Sequence, residues 1–182
     1  FQELRSKFPS FPWTSYKSPM AFSPDGLYFA IELEYPFRQV AVCNVVTGQI
    51  QKRLPAMSSE MTALSFSADA QFLLGGDNSG VIKLWDLGNN DEVPHAWLTT
   101  STSAVSAISF DEAGELLATS SDNGTASITK LLEDNQIWTE FTQTGRFSTH
   151  AFVHNSKSLI YATGDPSLEL WNYDTNDKSK YQ

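Results

Sequence analysis

Apolar and polar residues alternate with a period of two in short runs, and each run is bounded by Gly, Asn, Asp or Ser. This is the pattern of strands joined by tight turns. Between residues 61 and 99 it predicts strands over 61–66, 71–76, 81–87 and 94–99. No window offers a convincing ten-residue amphipathic helix.

The pattern recurs. A hydrophobic-small-Phe step followed by a turn occurs four times, at Met20-Ala21-Phe22, Leu64-Ser65-Phe66, Ile108-Ser109-Phe110 and His150-Ala151-Phe152, with the phenylalanines 44, 44 and 42 residues apart. A second column closes an apolar run in each repeat: Val42-Cys43-Asn44, Leu84-Trp85-Asp86, Ile128-Thr129-Lys130 and Leu170-Trp171-Asn172, spaced 42, 44 and 42. Two independent columns with one period define a repeat protein. A four-stranded sheet with two apolar faces must bury both against its neighbours, so the expected fold is all-β: a β-propeller of about four antiparallel blades. The expected division is 1–15, an N-terminal strand completing another blade; 16–60, 61–103 and 104–146, the first three blades; and 147–182, a fourth blade whose polar tail leaves its outer strand in question.

The period and the Leu84-Trp85-Asp86 ending resemble the WD-repeat (WD40) β-propeller family over the chain from about residue 16. Trp171-Asn172 is a near match, and Asp25-Gly26 completes a typical first turn. The resemblance implies a buried network of Trp, Ser/Thr, Asp and a His from a Gly-His pair. That pair is missing from all four repeats, and Thr129 and Cys43 stand where two of the tryptophans would be.

Three arrangements follow. The N-terminal strand could close a four-bladed ring, the four blades could be part of a larger ring, or two half-rings could pair. The partial array is the leading expectation, because the family usually has seven blades and the chain starts at Phe1, as a piece of a longer protein would. An open array would expose apolar blade faces at both ends and invite self-association.

Composition narrows the partners. With 12 Lys+Arg against 21 Asp+Glu, the net charge of −9 would repel a phosphate backbone, so no nucleic acid is expected. No apolar run approaches a membrane span, and the single Cys43 forms no internal disulfide. An intracellular setting, cytoplasmic or nuclear, is the expectation.

Candidate chemistry is sparse. His150 falls in the column of Met20, Leu64 and Ile108 and reads as a packed side chain between blades; His154 lies in the following turn, and His95 sits by itself near Pro94 and Trp97. His150 and His154 are four apart, but on a strand running into a turn rather than a helix, so no zinc pair is expected. No phosphate-cradling loop, nucleophile elbow or zinc-protease motif occurs, and neither cofactor nor metal nor catalytic residue is expected. Asn89-Asn90-Asp91-Glu92 and the Asp174 to Asp177 stretch read as solvated turns, Asn123-Gly124-Thr125 as a hairpin turn, and Gly75-Gly76 with Gly80 as framing another.

What remains is surface. In the first repeat the turn between the second and third strands is Glu34-Tyr35-Pro36-Phe37-Arg38, where the other repeats have short polar turns. Tyr35, Phe37 and Arg38 are of the types enriched in interfaces, and Trp13, Tyr16, Lys17, Glu60 and Arg146 would sit nearby. They form a candidate partner-binding patch. The competing reading has the aromatics tucked between blades. The leading functional expectation is a non-catalytic scaffold presenting loops to a protein or peptide. The alternative is a C-terminal regulatory or sensor propeller on a large signalling ATPase, acting by intramolecular docking, and a propeller-based hydrolase comes third.

Overall fold

Each repeat folds into one antiparallel four-stranded sheet. The computed structural model describes residues 18–33, 39–88, 96–99, 102–130, 137–142, 149–162 and 167–181. The first sheet is β1 (Met20–Phe22), β2 (Tyr28–Leu33), β3 (Gln39–Asn44) and β4 (Ile50–Pro55), and the second is β5 (Met61–Phe66), β6 (Phe72–Asp77), β7 (Val81–Asp86) and β8 (Ala96–Thr99). The third comprises β9 (Val105–Phe110), β10 (Leu116–Ser121), β11 (Thr125–Lys130) and β12 (Ile137–Thr142). The fourth comprises β13 (Thr149–Phe152), β14 (Ser158–Ala162), β15 (Leu168–Asn172) and β16 (Asp177–Tyr181). Among the described residues there is no helix.

The sheets stand side by side as blades. The first strands lie next to one another in chain order, β1 by β5, β5 by β9 and β9 by β13. Between them run separate apolar cores. Ala30, Val40, Val42 and Leu54 of the first blade pack on Met61, Phe66, Leu73 and Trp85 of the second. Leu74, Ile82 and Leu84 on the opposite face of the second blade meet Val105, Ile108 and Leu117 of the third. Ala118, Ala126 and Ile128 of the third meet Leu159, Tyr161 and Trp171 of the fourth. Strand alternation thus sends adjacent residues such as Leu73 and Leu74 into different inter-blade cores, which is why both faces must be apolar.

The outer strand of the fourth blade is present. The polar tail forms β16, paired with β15 from Leu168↔Tyr181 to Asn172↔Asp177. Its side chains are all exposed. An outermost strand needs no apolar alternation, and the turn that starts it is built by Asn172, whose Oδ1 accepts from the N–H groups of Asp174 and Thr175. The N-terminal stretch 1–15 lies outside the described residues.

The two ends of the arc differ from the expected pair of bare faces. On the far face of the first blade Phe29, Ile31, Leu33, Ala41 and Cys43 are buried, with Met20, Val45 and Ile50 packed around them. On the fourth blade the register puts Ile160, Ala162, Leu168, Leu170 and Tyr181 on the face away from the third, where Leu168 and Tyr181 are exposed.

Gly75 and Gly76 lie inside β6, as the strand read over 71–76 has them, but the reason for glycine there is close approach rather than turn geometry. A Cβ on Gly75 would come within 2.7 Å of the Trp85 ring, and one on Gly76 within 2.7 Å of Val105 of the next blade. Gly80 does occupy the turn, at φ 86°. Asn123 also forms a turn as read, its Oδ1 accepting from the N–H and hydroxyl of Thr125.

The polar network implied by the resemblance is incomplete. Trp85 Nε1, Asp77 Oδ2 and Thr129 Oγ1 are buried with no hydrogen-bond partner, while Trp171 Nε1 donates to Asn176 Oδ1 at 3.0 Å. With no side chain at Gly75, that position offers the Trp85 indole no acceptor.

Candidate functional site

A cavity of about 650 Å³ opens where the first strands end. Its wall comes from all four repeats. Phe66 ends β5, Phe110 ends β9 and Phe152 ends β13; Pro24, Ala68, Ala113 and Val153 come from the turns that follow the first strands, and Tyr173 from the turn after β15. The repeated Phe therefore does two jobs. One flank packs on the preceding blade, as Phe66 and Phe152 show, and the rest lines the mouth of the arc. Phe22 has no preceding blade; it sits against Phe29 with ring centroids 6.1 Å apart and is 54% exposed.

Turn chemistry makes the mouth rigid. In the first two repeats a buried serine pins the turn: Ser23 Oγ accepts from Tyr28 N–H at 2.9 Å and donates to Asp25 Oδ1 at 2.6 Å. Ser67 does the same with Phe72 N–H and Asp69, also at 2.9 and 2.6 Å. These bonds, with the Leu27 and Gln71 N–H groups, hold Asp25 and Asp69 below the usual carboxylate range. In the third repeat Asp111 replaces the serine and accepts from the N–H groups of Glu115 and Leu116 at 2.8 Å. Burial, followed by the nearby Asp111 and Asp174 charges, pushes the Tyr173 phenol up.

Tyr173 stacks edge-on to Phe152, with centroids 6.1 Å apart at 89°, and to Trp171 at 6.3 Å and 68°. Across the rim His154 Nδ1 meets Glu112 Oε2 at 2.8 Å, and Lys157 Nζ meets Asp174 Oδ1 at 3.1 Å.

Deeper in, His150 ties the third and fourth blades together. Its Nε2 lies 3.2 Å from the Ala118 carbonyl and its Nδ1 3.0 Å from Ser120 Oγ. A carbonyl only accepts, so Nε2 carries the proton and Nδ1 accepts from Ser120. Ser120 in turn accepts from Ser106 Oγ at 3.2 Å. Burial pushes the imidazole down to about 4, slightly offset by the Ala118 bond, and His150 is a neutral crosspiece. No group of three or more His, Cys, Asp or Glu that could hold a metal occurs among the described residues.

Of the residues in the sequence-derived patch, Glu60 is described, exposed, at the end of the propeller opposite this mouth; its carbonyl accepts from Asn78 N–H. Tyr35, Phe37, Arg38, Trp13, Tyr16, Lys17 and Arg146 lie outside the described residues, as does His95. The mouth residues were missed as a site. The signal was the Phe column itself, which in sequence reads only as core.

Radially stacked four-stranded blades with a period near 43 and a Trp-Asp ending define the class: WD-type propeller blades. Residues 48–86 and 93–129 match the sequence profile of the family described as WD domain, G-beta repeat. Two solved structures share the fold at a TM-score of 0.80 and 16% identity, "Structure of U3-55K" and "Crystal structure of RRP9 WD40 repeats". The superpositions cover 93% of this chain but only 53% and 52% of those chains, so it spans about half their length. No curated protein sequence matches it.

Proposed function

We propose that the chain is a non-catalytic interaction scaffold that presents propeller loops to a protein or peptide partner. The observation that carries this reading is the aromatic-walled cavity of about 650 Å³, assembled from turns of four blades and braced by inter-blade cores. Pockets of roughly 300–1,000 Å³ suffice to enclose a ligand group. A mouth built on sheet ends, with Ser23, Ser67, Asp25, Asp69 and Asp111 engaged in turn geometry, is suited to binding rather than bond making. The bare face of the fourth blade and the half-length match to both solved propellers support a larger ring. The buried thiol of Cys43 fits an intracellular setting, cytoplasmic or nuclear.

The test is photo-crosslinking in a cell extract, with the reactive group placed at Glu112 on the mouth or at Glu60 on the opposite end. The expected result is a discrete protein adduct from one face, abolished by unfolding. The pair Phe37→Ala and Arg38→Ala tests the patch read from the sequence. Absence of any fold-dependent adduct from either position would sink the scaffold reading, as would ester or phosphate hydrolysis that co-purifies with the chain and is lost on mutation of a mouth residue.

A further inference from the structure

The same mouth has a chemical preference. Antiparallel topology places the turns after the first strands and those after the third strands at one end of the propeller. Among the described residues that end carries six exposed carboxylates, Asp25, Asp69, Glu112, Glu115, Asp174 and Asp177, against Lys130, Lys157 and Lys178. Lys157 is already joined to Asp174, and His154 to Glu112. Asp25 and Asp69 are locked in the ionised form by their turn hydrogen bonds. Within this rim the wall combines the rings of Phe66, Phe110, Phe152 and Tyr173 and the aliphatic Pro24, Ala68, Ala113 and Val153 with polar side chains that include Asp111, Glu112, His154 and Lys157.

From this geometry we infer that the mouth formed by Phe66, Phe110 and Phe152 takes a basic protein segment, with one large apolar side chain inserted among the rings and flanking Arg or Lys on the carboxylate rim. The inference rests on the scaffold reading and adds the chemistry of the partner. Aromatic faces favour both an apolar side chain and a guanidinium laid across them. The acidic rim steers cations inward and repels phosphodiester chains.

The probe is a fluorescent nine-residue peptide with a central phenylalanine and two arginines on each side, titrated into the 182-residue chain and read by polarisation. Control peptides replace the phenylalanine by alanine or the arginines by glutamate. The expected result is saturable binding of the probe that falls at least tenfold for either control, at least tenfold in the Glu112→Lys, Glu115→Lys double variant, and steeply with salt. Both glutamates are exposed, so the double variant keeps the fold; Phe110→Ala, checked by its unfolding midpoint, provides the apolar arm. Glu60→Lys at the opposite end leaves the affinity unchanged.

No binding of the probe to the folded chain overturns the inference. So does binding that is indifferent to the Glu112 and Glu115 reversals, or a preference for a single-stranded RNA homopolymer over the peptide. Failure of the two readings is separable. If only this inference fails, fold-dependent protein adducts still form while the basic peptide does not bind; if only the scaffold reading fails, the peptide still binds and no fold-dependent protein adduct forms.

Discussion

Lowering the pH should loosen the fourth blade through one residue. His150 is buried between blades and neutral, with its imidazole pushed down to about 4. In the unfolded chain an ordinary histidine titrates near 6.5. The unfolded state therefore binds more protons than the folded one between these values, and stability falls as the pH drops. The contribution is fully present above about pH 6.5 and gone near pH 4. Each pH unit of that gap corresponds to about 1.4 kcal/mol, so the whole window amounts to about 3 kcal/mol. The assay is urea unfolding at pH steps from 7.5 to 4.5, read by tryptophan fluorescence, for the parent and for His150→Leu. Leucine matches the equivalent residue of the second repeat, Leu64. At pH 7 the variant loses about 1–3 kcal/mol, because the Ala118 carbonyl is left unpaired. Its curve then runs flatter, and the parent and variant converge towards pH 4.5. Carboxylates such as Asp25 and Asp69 contribute equally to both proteins and cancel in the difference. Parallel curves with a constant offset across the range would refute the reasoning.

Two other substitutions probe close approach and turn pinning. Gly75→Ala places a Cβ within 2.7 Å of the Trp85 ring and should cost about 1–3 kcal/mol, with a shift in Trp85 emission; an unchanged unfolding midpoint would show that the ring moves freely. Ser67→Ala removes the buried hydroxyl that serves both Phe72 N–H and Asp69, for a loss of about 1–2 kcal/mol in thermal or urea unfolding, whereas removing the exposed Ser156 hydroxyl should change stability by less than about 0.5 kcal/mol.

Much of this architecture is written in two columns of residues. Phe22, Phe66, Phe110 and Phe152 mark the ends of four first strands, and Cys43, Trp85, Thr129 and Trp171 mark four third strands, because only a repeated burial environment recurs at a fixed period. In the second repeat the strands read from alternation agree with the structure to within a residue or two. What escaped was of another kind. The outer strand β16 carries no apolar residue before Tyr181, since both of its faces meet solvent and backbone pairing alone defines it. Gly75 and Gly76 read as the frame of a hairpin because nothing in one sequence shows that a ring and a valine from other strands occupy their Cβ positions. The mouth escaped for a similar reason: a phenylalanine whose ring is shared between core and cavity has the same local pattern as one wholly in core.

Among the described residues three interfaces join the four blades, so the second and third are each clamped from both sides and the first and fourth from one, the far face of the first being buried and that of the fourth exposing Leu168 and Tyr181. In such a linear array cohesion passes from neighbour to neighbour, and opening starts where a unit has a single attachment. The fourth blade is therefore the hinge-side leaf of the assembly, and its amides should exchange with solvent sooner than those of the second. Since Phe152 and Tyr173 travel with that leaf, an occupant of the mouth would act as a staple, and a departing leaf would release it.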